Sequence, residues 1–289
     1  MTHVVGVELG GTKTVVAIAN RDGILLEEIR FPTVSPRETV NQVCSWIKSK
    51  ITAGDAIEMG IASFGPIRVD AHADDYGRFL ATPKPGWSGF SLIDEIEKYF
   101  PKSRIELETD VNAALLGEMR HGVAMGMRDA AYLTIGTGIG AGICSNGSLV
   151  HGTLHPEMGH IRVSRHPDDT FAGTCPFHGD CWEGLASGLA MEKRWGKPAH
   201  TLPNDHAGWD WQAWYLAQGI LSVVAIMSPE IVILGGGVSQ FPELRDKTAH
   251  HLDVLSAGYF TFTGDDLQLA GLGQRAGIIG AMELLNQTR

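Results

Sequence analysis

The sequence predicts an α/β fold in two lobes, each built on the same mixed-sheet motif, and three observations carry that expectation. The chain has 289 residues, more than one small hydrophobic core accommodates. Apolar strand-like runs alternate with amphipathic helical stretches. One pattern (strand, Gly/Thr turn, strand, Asn/Asp-Gly turn, strand) occurs near residue 10 and again near residue 137. The expected lobes are residues 1–115, with a C-terminal helix over about 273–289 packing back on them, and residues 116–272, with the loop 151–188 inside the second lobe.

In the first lobe, His3 to Leu9, Thr14 to Ala19 and Ile24 to Phe31 read as a meander of three strands. Its first turn, Gly10-Gly11-Thr12-Lys13, joins a diglycine to a hydroxyl and a cation. Such backbone N–H groups can hold phosphate oxygens, or the diglycine can simply close a hairpin. It is not a Walker A loop, because G-x-x-x-x-G-K-[ST] is absent and a strand follows where that motif needs a helix. Asn20-Arg21-Asp22-Gly23 forms the second turn. Ser35-Pro36-Arg37-Glu38 predicts a capping box with proline at the first helical position, and Val40, Val43, Cys44 and Ile47 give that helix one apolar face. Glu58 to Ser63 is a strand ending at Phe64-Gly65-Pro66, the end where ligands sit in open α/β sheets. The loop Tyr76 to Trp87 follows, with Trp87 expected in the core. A helix over Ser91 to Tyr99 and a strand over Arg104 to Glu108 lead into Thr109-Asp110-Val111-Asn112 and a helix through Arg120. Asp110 stands where strand becomes helix, as an N-cap or as a carboxylate that takes a proton from a substrate hydroxyl.

The second lobe repeats the opening. Ala130 to Ile135 is a strand running into Gly136-Thr137-Gly138-Ile139-Gly140. This stretch matches the G-x-G-x-x-A dinucleotide fingerprint, but that fingerprint requires a following helix. Here Ala141 to Cys144 continues as strand into the hairpin turn Ser145-Asn146-Gly147, which excludes the Rossmann reading. Two Gly/Thr turns facing each other across a cleft would clasp a polyphosphate. Trp209 to Met227 reads as a long core helix stopped at Ser228-Pro229-Glu230, and Ile231 to Leu234 as a buried strand. Gly235-Gly236-Gly237 after it either lets a flat ring lie on bare backbone or serves a crowded turn. Helices over Phe241 to Leu255 and Gln274 to Asn286 close the chain.

Between these elements lies the stretch His151 to Gly188, which gathers most of the soft metal ligands. Cys175, His178 and Cys181 stand as C-x-x-H-x-x-C, with His160 upstream. Zn²⁺ takes four thiolate or imidazole ligands tetrahedrally, so a Cys₂His₂ structural zinc is expected, and its binding would order a loop that has no other evident source of rigidity. A disulfide or unconnected polar surface is the alternative. His151, His155 and His166 compete with His160 for the fourth position. Four protein ligands leave no open coordination position, so this metal builds the site without running the reaction.

Composition removes several classes. The formal net charge is −10 with basic residues scattered, which argues against a nucleic-acid or anionic-membrane surface. Met1-Thr-His-Val runs straight into a strand, so no signal peptide is expected, and the longest apolar run, Ile220 to Met227, is too short to span a bilayer. Four cysteines, two of them assigned to metal, leave Cys44 and Cys144 as buried thiols and fit a reducing, cytoplasmic compartment.

Taken together, these residues resemble the ROK family of sugar kinases, within the actin and hexokinase-like (ribonuclease H-like) ATPase superfold, essentially end to end. Glu8-Leu-Gly-Gly-Thr-Lys13 looks like the first phosphate motif, Thr134-Ile-Gly-Thr-Gly-Ile-Gly140 the second, and Leu234-Gly-Gly-Gly237 the adenosine motif. Glu108-Thr-Asp-Val-Asn112 resembles the stretch with the catalytic aspartate, and Glu157-Met-Gly-His160 the sugar-contacting and zinc-binding motif. Ala62-Ser-Phe-Gly-Pro66, Thr82 to Trp87 and the histidine of C-x-x-H-x-x-C resemble the zinc-containing bacterial fructokinases, whereas glucokinases of the family usually carry C-x-C-G-x-x-G-C. Glu8 departs from the family, where many relatives have aspartate.

The resemblance implies an ATP-dependent kinase acting on the 6-hydroxyl of D-fructose, with glucose, mannose or N-acetylmannosamine as alternative sugars and a non-catalytic sugar-sensing protein as the rival class. It implies that Asp110 is the base, that Gly10, Gly11, Thr12, Lys13, Thr137, Gly138, Gly235, Gly236 and Gly237 hold ATP with Mg²⁺, and that Gly65, Asn112, Glu157 and Glu183 contact the sugar. His160, Cys175, His178 and Cys181 would hold structural Zn²⁺. With the first strand read from residue 3, no N-terminal helix-turn-helix is expected. A homodimer is expected.

Overall fold

The computed structural model describes residues 2–20, 24–52 and 54–287. The turn expected at Asn20 to Gly23 lies outside the described residues from position 21 to 23, as do positions 288 and 289. The described chain divides into two compact units.

The first unit comprises residues Met1–Arg120, His151–His155 and Arg275–Arg289. Strands β1 (Thr2–Leu9), β2 (Lys13–Ala19) and β3 (Leu25–Pro32) form the expected antiparallel meander. Strands β4 (Ala56–Ser63) and β5 (Arg104–Thr109) extend it in parallel, giving the order β3-β2-β1-β4-β5. Helix α1 (Pro36–Lys50) buries Val40, Val43, Cys44 and Ile47, the stripe its sequence spacing demands, with Pro36 in its first turn. The capping box at its start does not form. The Ser35 hydroxyl donates to the Glu38 carboxylate at 3.4 Å, and the turn is closed instead by Thr39, whose Oγ1 accepts from Val34 N at 3.0 Å. Trp87 is fully buried, its ring centroid 5.1 Å from that of Phe64 and its indole N–H donating to Val34 O at 3.0 Å. Helix α2 (Leu92–Glu97) is shorter than its expected span, and α3 (Asp110–His121) follows β5 directly.

The second unit comprises residues His121–Val150 and Pro156–Gln274. Strands β6 (Ala130–Ile135), β7 (Ile139–Ser145) and β8 (Ser148–Leu149) again form an antiparallel meander. Asn146 and Gly147 both take positive φ, 52° and 79°, as a two-residue type I′ hairpin turn requires. Strands β9 (Ile231–Gly235) and β10 (Leu267–Leu269) add in parallel, and the order is β10-β9-β6-β7-β8. Strand for strand, β6 to β10 therefore repeat the arrangement of β1 to β5. Strand β10 was not expected from sequence: only Leu267 of its three residues is buried, too little pattern to read. The helices are α4 (Trp182–Ala186), α5 (Gly188–Trp195), α6 (Gly208–Met227) and α7 (Leu244–Ser256). Helix α7 begins at Leu244 because Val238–Gln240 is a separate 3₁₀ turn. Among the described residues no helix is long and apolar enough to cross a membrane.

The loop 151–188 is divided between the units. His151–His155 go with the first, where side chains of both end residues are bonded, and Pro156 onward with the second. Helix α8 (Ala276–Glu283), flanked by 3₁₀ turns at Gly273–Arg275 and Leu284–Asn286, packs on β1 and β4 of the first unit. Its approach is possible only where side chains are missing. A Cβ on Gly60 would lie 1.7 Å from Ala281 O, and one on Gly280 1.6 Å from Ala113 O.

Candidate active site and metal centre

In the first unit, the β1–β2 turn is a hairpin held from outside itself. Gly10 N donates to Lys13 O at 3.0 Å, and the Thr33 hydroxyl donates to Gly10 O at 2.7 Å. The Lys84 ammonium donates to Gly11 O and, at 3.2 Å, to Thr33 O. These bonds fix the turn while Gly11 and Thr12 stay exposed and Lys13 half-buried. Glu8 precedes the turn on β1. Burial pushes its carboxyl up, and Lys13 pulls it back down less strongly. Its Oε2 is buried with no hydrogen-bond partner among the described residues, an atom suited to a cation or a cation-bound water.

At the carboxyl end of β5, Thr109 takes the helix-capping role that sequence offered to Asp110: its Oγ1 accepts from Asn112 N at 3.2 Å. Asp110 is the first residue of α3, half-buried, with Oδ1 accepting from Val111 N at 2.9 Å. Asn112 is buried, and its amide donates to Glu108 Oε1 at 3.0 Å. Gly65 lies against His155, whose ring carbon Cε1 sits 3.1 Å from where a Gly65 Cβ would be and whose Nε2 accepts from Ile67 N at 3.3 Å.

In the second unit, the β6–β7 turn is braced by a carboxylate. Glu183, in the first turn of α4, accepts from Ile139 N at 2.9 Å through Oε2. Only glycine leaves room for it, since a Cβ on Gly138 would stand 2.4 Å from that oxygen. Gly136 O accepts from Gly188 N at 2.7 Å, and Thr137 is exposed at the tip. Glu157 is exposed as a residue, yet its carboxyl is turned towards protein. Loss of water, and then the like charge of Glu183, push it up to about 7. Of the three glycines after β9, two give their missing side-chain space to protein: a Cβ on Gly235 would meet the Tyr132 hydroxyl at 2.0 Å, and one on Gly236 would meet the Ile135 carbonyl oxygen at 2.4 Å. Gly237 meets nothing within 4 Å.

The same unit brings His160, Cys175, His178 and Cys181 together, with one ligand atom of each within 4.8 Å of the others. Cys175 Sγ lies 3.7 Å from His160 Nδ1 and 3.6 Å from His178 Nδ1, and Cys181 Sγ 3.5 Å from His160 Nδ1. Zn–S and Zn–N bonds at a tetrahedral angle give an S···N edge of about 3.6 Å, so the donors stand at zinc spacing. No disulfide links the cysteines. The chain turns through this knuckle by paired backbone bonds between Cys175 and Gly179 at 3.2 and 2.9 Å, with Gly179 at φ 65°. Of the competing histidines, His151 and His155 are bonded within the first unit, and His166 stacks on Trp211 with ring centroids 4.6 Å apart.

A family model described as ROK family matches residues 4–288. The chain belongs to the ROK family. Within this family it is 41% identical over 288 residues, covering 98% of this chain and 95% of the relative, to a putative fructokinase of Bacillus subtilis strain 168. It is 38% identical to a fructokinase of Pediococcus pentosaceus, covering 96% of both chains. Among solved ROK structures, the glucokinase of Streptomyces griseus in complex with glucose and AMPPNP superposes with TM-score 0.75 at 25% identity, covering 98% of both chains.

This ROK chain also contains site neighbours that sequence reasoning passed over. Glu108 was seen only as part of a motif, and His151 and His155 only as rival zinc ligands; their partners lie 43 and 88 positions away, which no local spacing signals. Asp169, within the loop, accepts from Tyr215 Oη at 2.6 Å and Arg194 Nη2 at 3.0 Å. Burial would raise its carboxyl, but these bonds outweigh it and hold Asp169 below the usual range, tying the loop to α5 and α6.

Proposed function

We propose that the protein is an ATP-dependent fructokinase that transfers the γ-phosphoryl of ATP to the 6-hydroxyl of D-fructose. The observation that carries this reading is Asp110: a half-buried carboxylate at the head of α3, relieved of capping by Thr109, in a chain related over nearly its full length to proteins named fructokinase. Glucokinase relatives stand further off, at 27% identity for that of Thermotoga maritima.

On this reading Asp110 accepts the proton of the attacking hydroxyl. Phosphoryl transfer is chiefly positioning and charge stabilisation. To the phosphates the reading assigns Gly10, Gly11, Thr12, Lys13, Thr137 and Gly138, and to the adenosine Gly235, Gly236 and Gly237, with Gly237 the one whose face is clear. Gly65, Asn112, Glu157 and Glu183 are assigned to the sugar hydroxyls, where an unmatched polar group is costly and so discriminates between hexoses. Mg²⁺ arrives with ATP and, when bound, neutralises charge on the β and γ oxygens; the unpartnered Oε2 of Glu8 fits an outer contact to it. His160, Cys175, His178 and Cys181 would hold a structural Zn²⁺, which would fix the turn that carries Glu157 three residues before His160.

The test is an ADP-coupled assay with fructose, glucose, mannose and N-acetylmannosamine. The expected result is the highest kcat/KM on fructose. Turnover of another hexose with fructose inert reassigns the sugar, and no turnover with any of them removes the kinase reading.

A further inference from the structure

The Glu108 carboxylate, 5% exposed, is shared by three groups of the first unit. Oε1 accepts from Thr109 N at 2.7 Å and from the Asn112 amide at 3.0 Å, and Oε2 lies 2.7 Å from His151 Nε2. A carboxylate only accepts, so His151 Nε2 carries the proton of that bond. A nitrogen that donates cannot also accept, which makes the 3.5 Å approach of the Asn112 amide to the same ring nitrogen a contact and leaves Glu108 as the bonded partner. The imidazole thus fixes the carboxylate, and the carboxylate fixes both the turn of the Asn112 amide and the backbone entering α3. His151 also helps to line a cavity of about 270 Å³ with Arg68, Asp70, His72 and Thr153.

We propose that His151 is a positioning residue for the acceptor sugar: through Glu108 it orients Asn112 and the start of the helix that carries Asp110. The inference rests on the sugar-kinase reading for its kinetic consequence, but not for its structural one.

The experiment compares His151→Leu, which removes the donor, with His151→Gln, whose amide nitrogen can reach the place of Nε2. In His151→Leu the expected change is a fall of about ten- to a hundredfold in kcat/KM for fructose, the loss of one bond to a charged group, with KM for ATP within about twofold of the parent protein. His151→Gln should regain most of that loss. By NMR, the Asn112 side-chain amide resonances should move in His151→Leu and return in His151→Gln. Sugar kinetics unchanged in His151→Leu, or a loss shared equally by KM for ATP and not rescued by glutamine, overturns the proposal. If the parent protein phosphorylates no hexose, the functional reading fails, and the amide resonances still decide: unmoved peaks in His151→Leu overturn the positioning role.

Discussion

The two glycine turns, at 10–13 and 136–140, sit at the same place in two sheets of identical strand order, yet they are braced by opposite chemistry. The first is pinned from outside by a hydroxyl and an ammonium, Thr33 and Lys84. The second is pinned by the carboxylate of Glu183 on Ile139 N, with Glu157 as its like-charged neighbour. The two sheets therefore share a backbone frame while the side chains around the two turns differ. Glu183, assigned to the sugar, also holds the second turn, whereas the Asp110 carboxylate accepts from Val111 N at the head of its own helix. Removing a carboxylate should consequently have different effects in the two units.

The largest effect is expected at Asp110. Asp110→Asn keeps the bond to Val111 N through its amide oxygen, so sugar binding by calorimetry should persist while turnover falls by about two to four orders of magnitude. A variant with parental turnover takes Asp110 out of the chemistry. Next comes the metal. Cys175→Ser, or exhaustive chelation, should lower the melting temperature by roughly 5–10 °C, as expected for a few kcal/mol of loop ordering, and elemental analysis of the parent protein should find one zinc per chain. Unchanged melting together with no bound zinc would sink the metal assignment.

The glycine turns offer a paired test of smaller size. In Gly138→Ala the new methyl displaces the Glu183 carboxylate from Ile139 N, and stability by denaturant titration should fall by about 1.5 kcal/mol, the worth of one charged hydrogen bond. In Gly11→Ala the methyl meets nothing within 4 Å, and stability by denaturant titration should change by less than about 0.5 kcal/mol. Equal stability losses in the two variants would mean that the turns are braced alike. The smallest effect is in pH dependence. Glu157, raised from its ordinary 4.5 to about 7, holds its proton in the folded protein after the unfolded chain has lost it. Its contribution to stability should be full below pH 4.5 and decline as the pH rises to about 7. Glu157→Gln should flatten that part of the stability curve, and an unaltered slope would assign it to other groups.

How much of this could be read without coordinates varies with the range of each interaction. The meanders, the type I′ turn at Asn146-Gly147 and the buried face of α1 were legible because they follow from residues a few positions apart. The clustering of Cys175, His178 and Cys181 was legible for the same reason, whereas it took the fold to bring His160 to them and to engage the other histidines elsewhere. Local reading erred at Ser35, which turned to the Glu38 side chain instead of closing a capping box, and of the two roles it left open for Asp110 the cap went to Thr109.

By itself, the sequence determined the alternation of strands and helices, the duplicated turn motif, and the close-spaced part of the metal set, since each depends on backbone preferences and periodicity within a short window. Only the tertiary structure decided which glycines have open space where a side chain would be and which, like Gly235 and Gly236, face the protein's own Tyr132 and Ile135. It alone joined His151 to Glu108, and Glu183 to the amide of Ile139. Those pairings are set by how whole elements pack, and packing is decided by summed burial over the unit, a quantity no single stretch of chain contains.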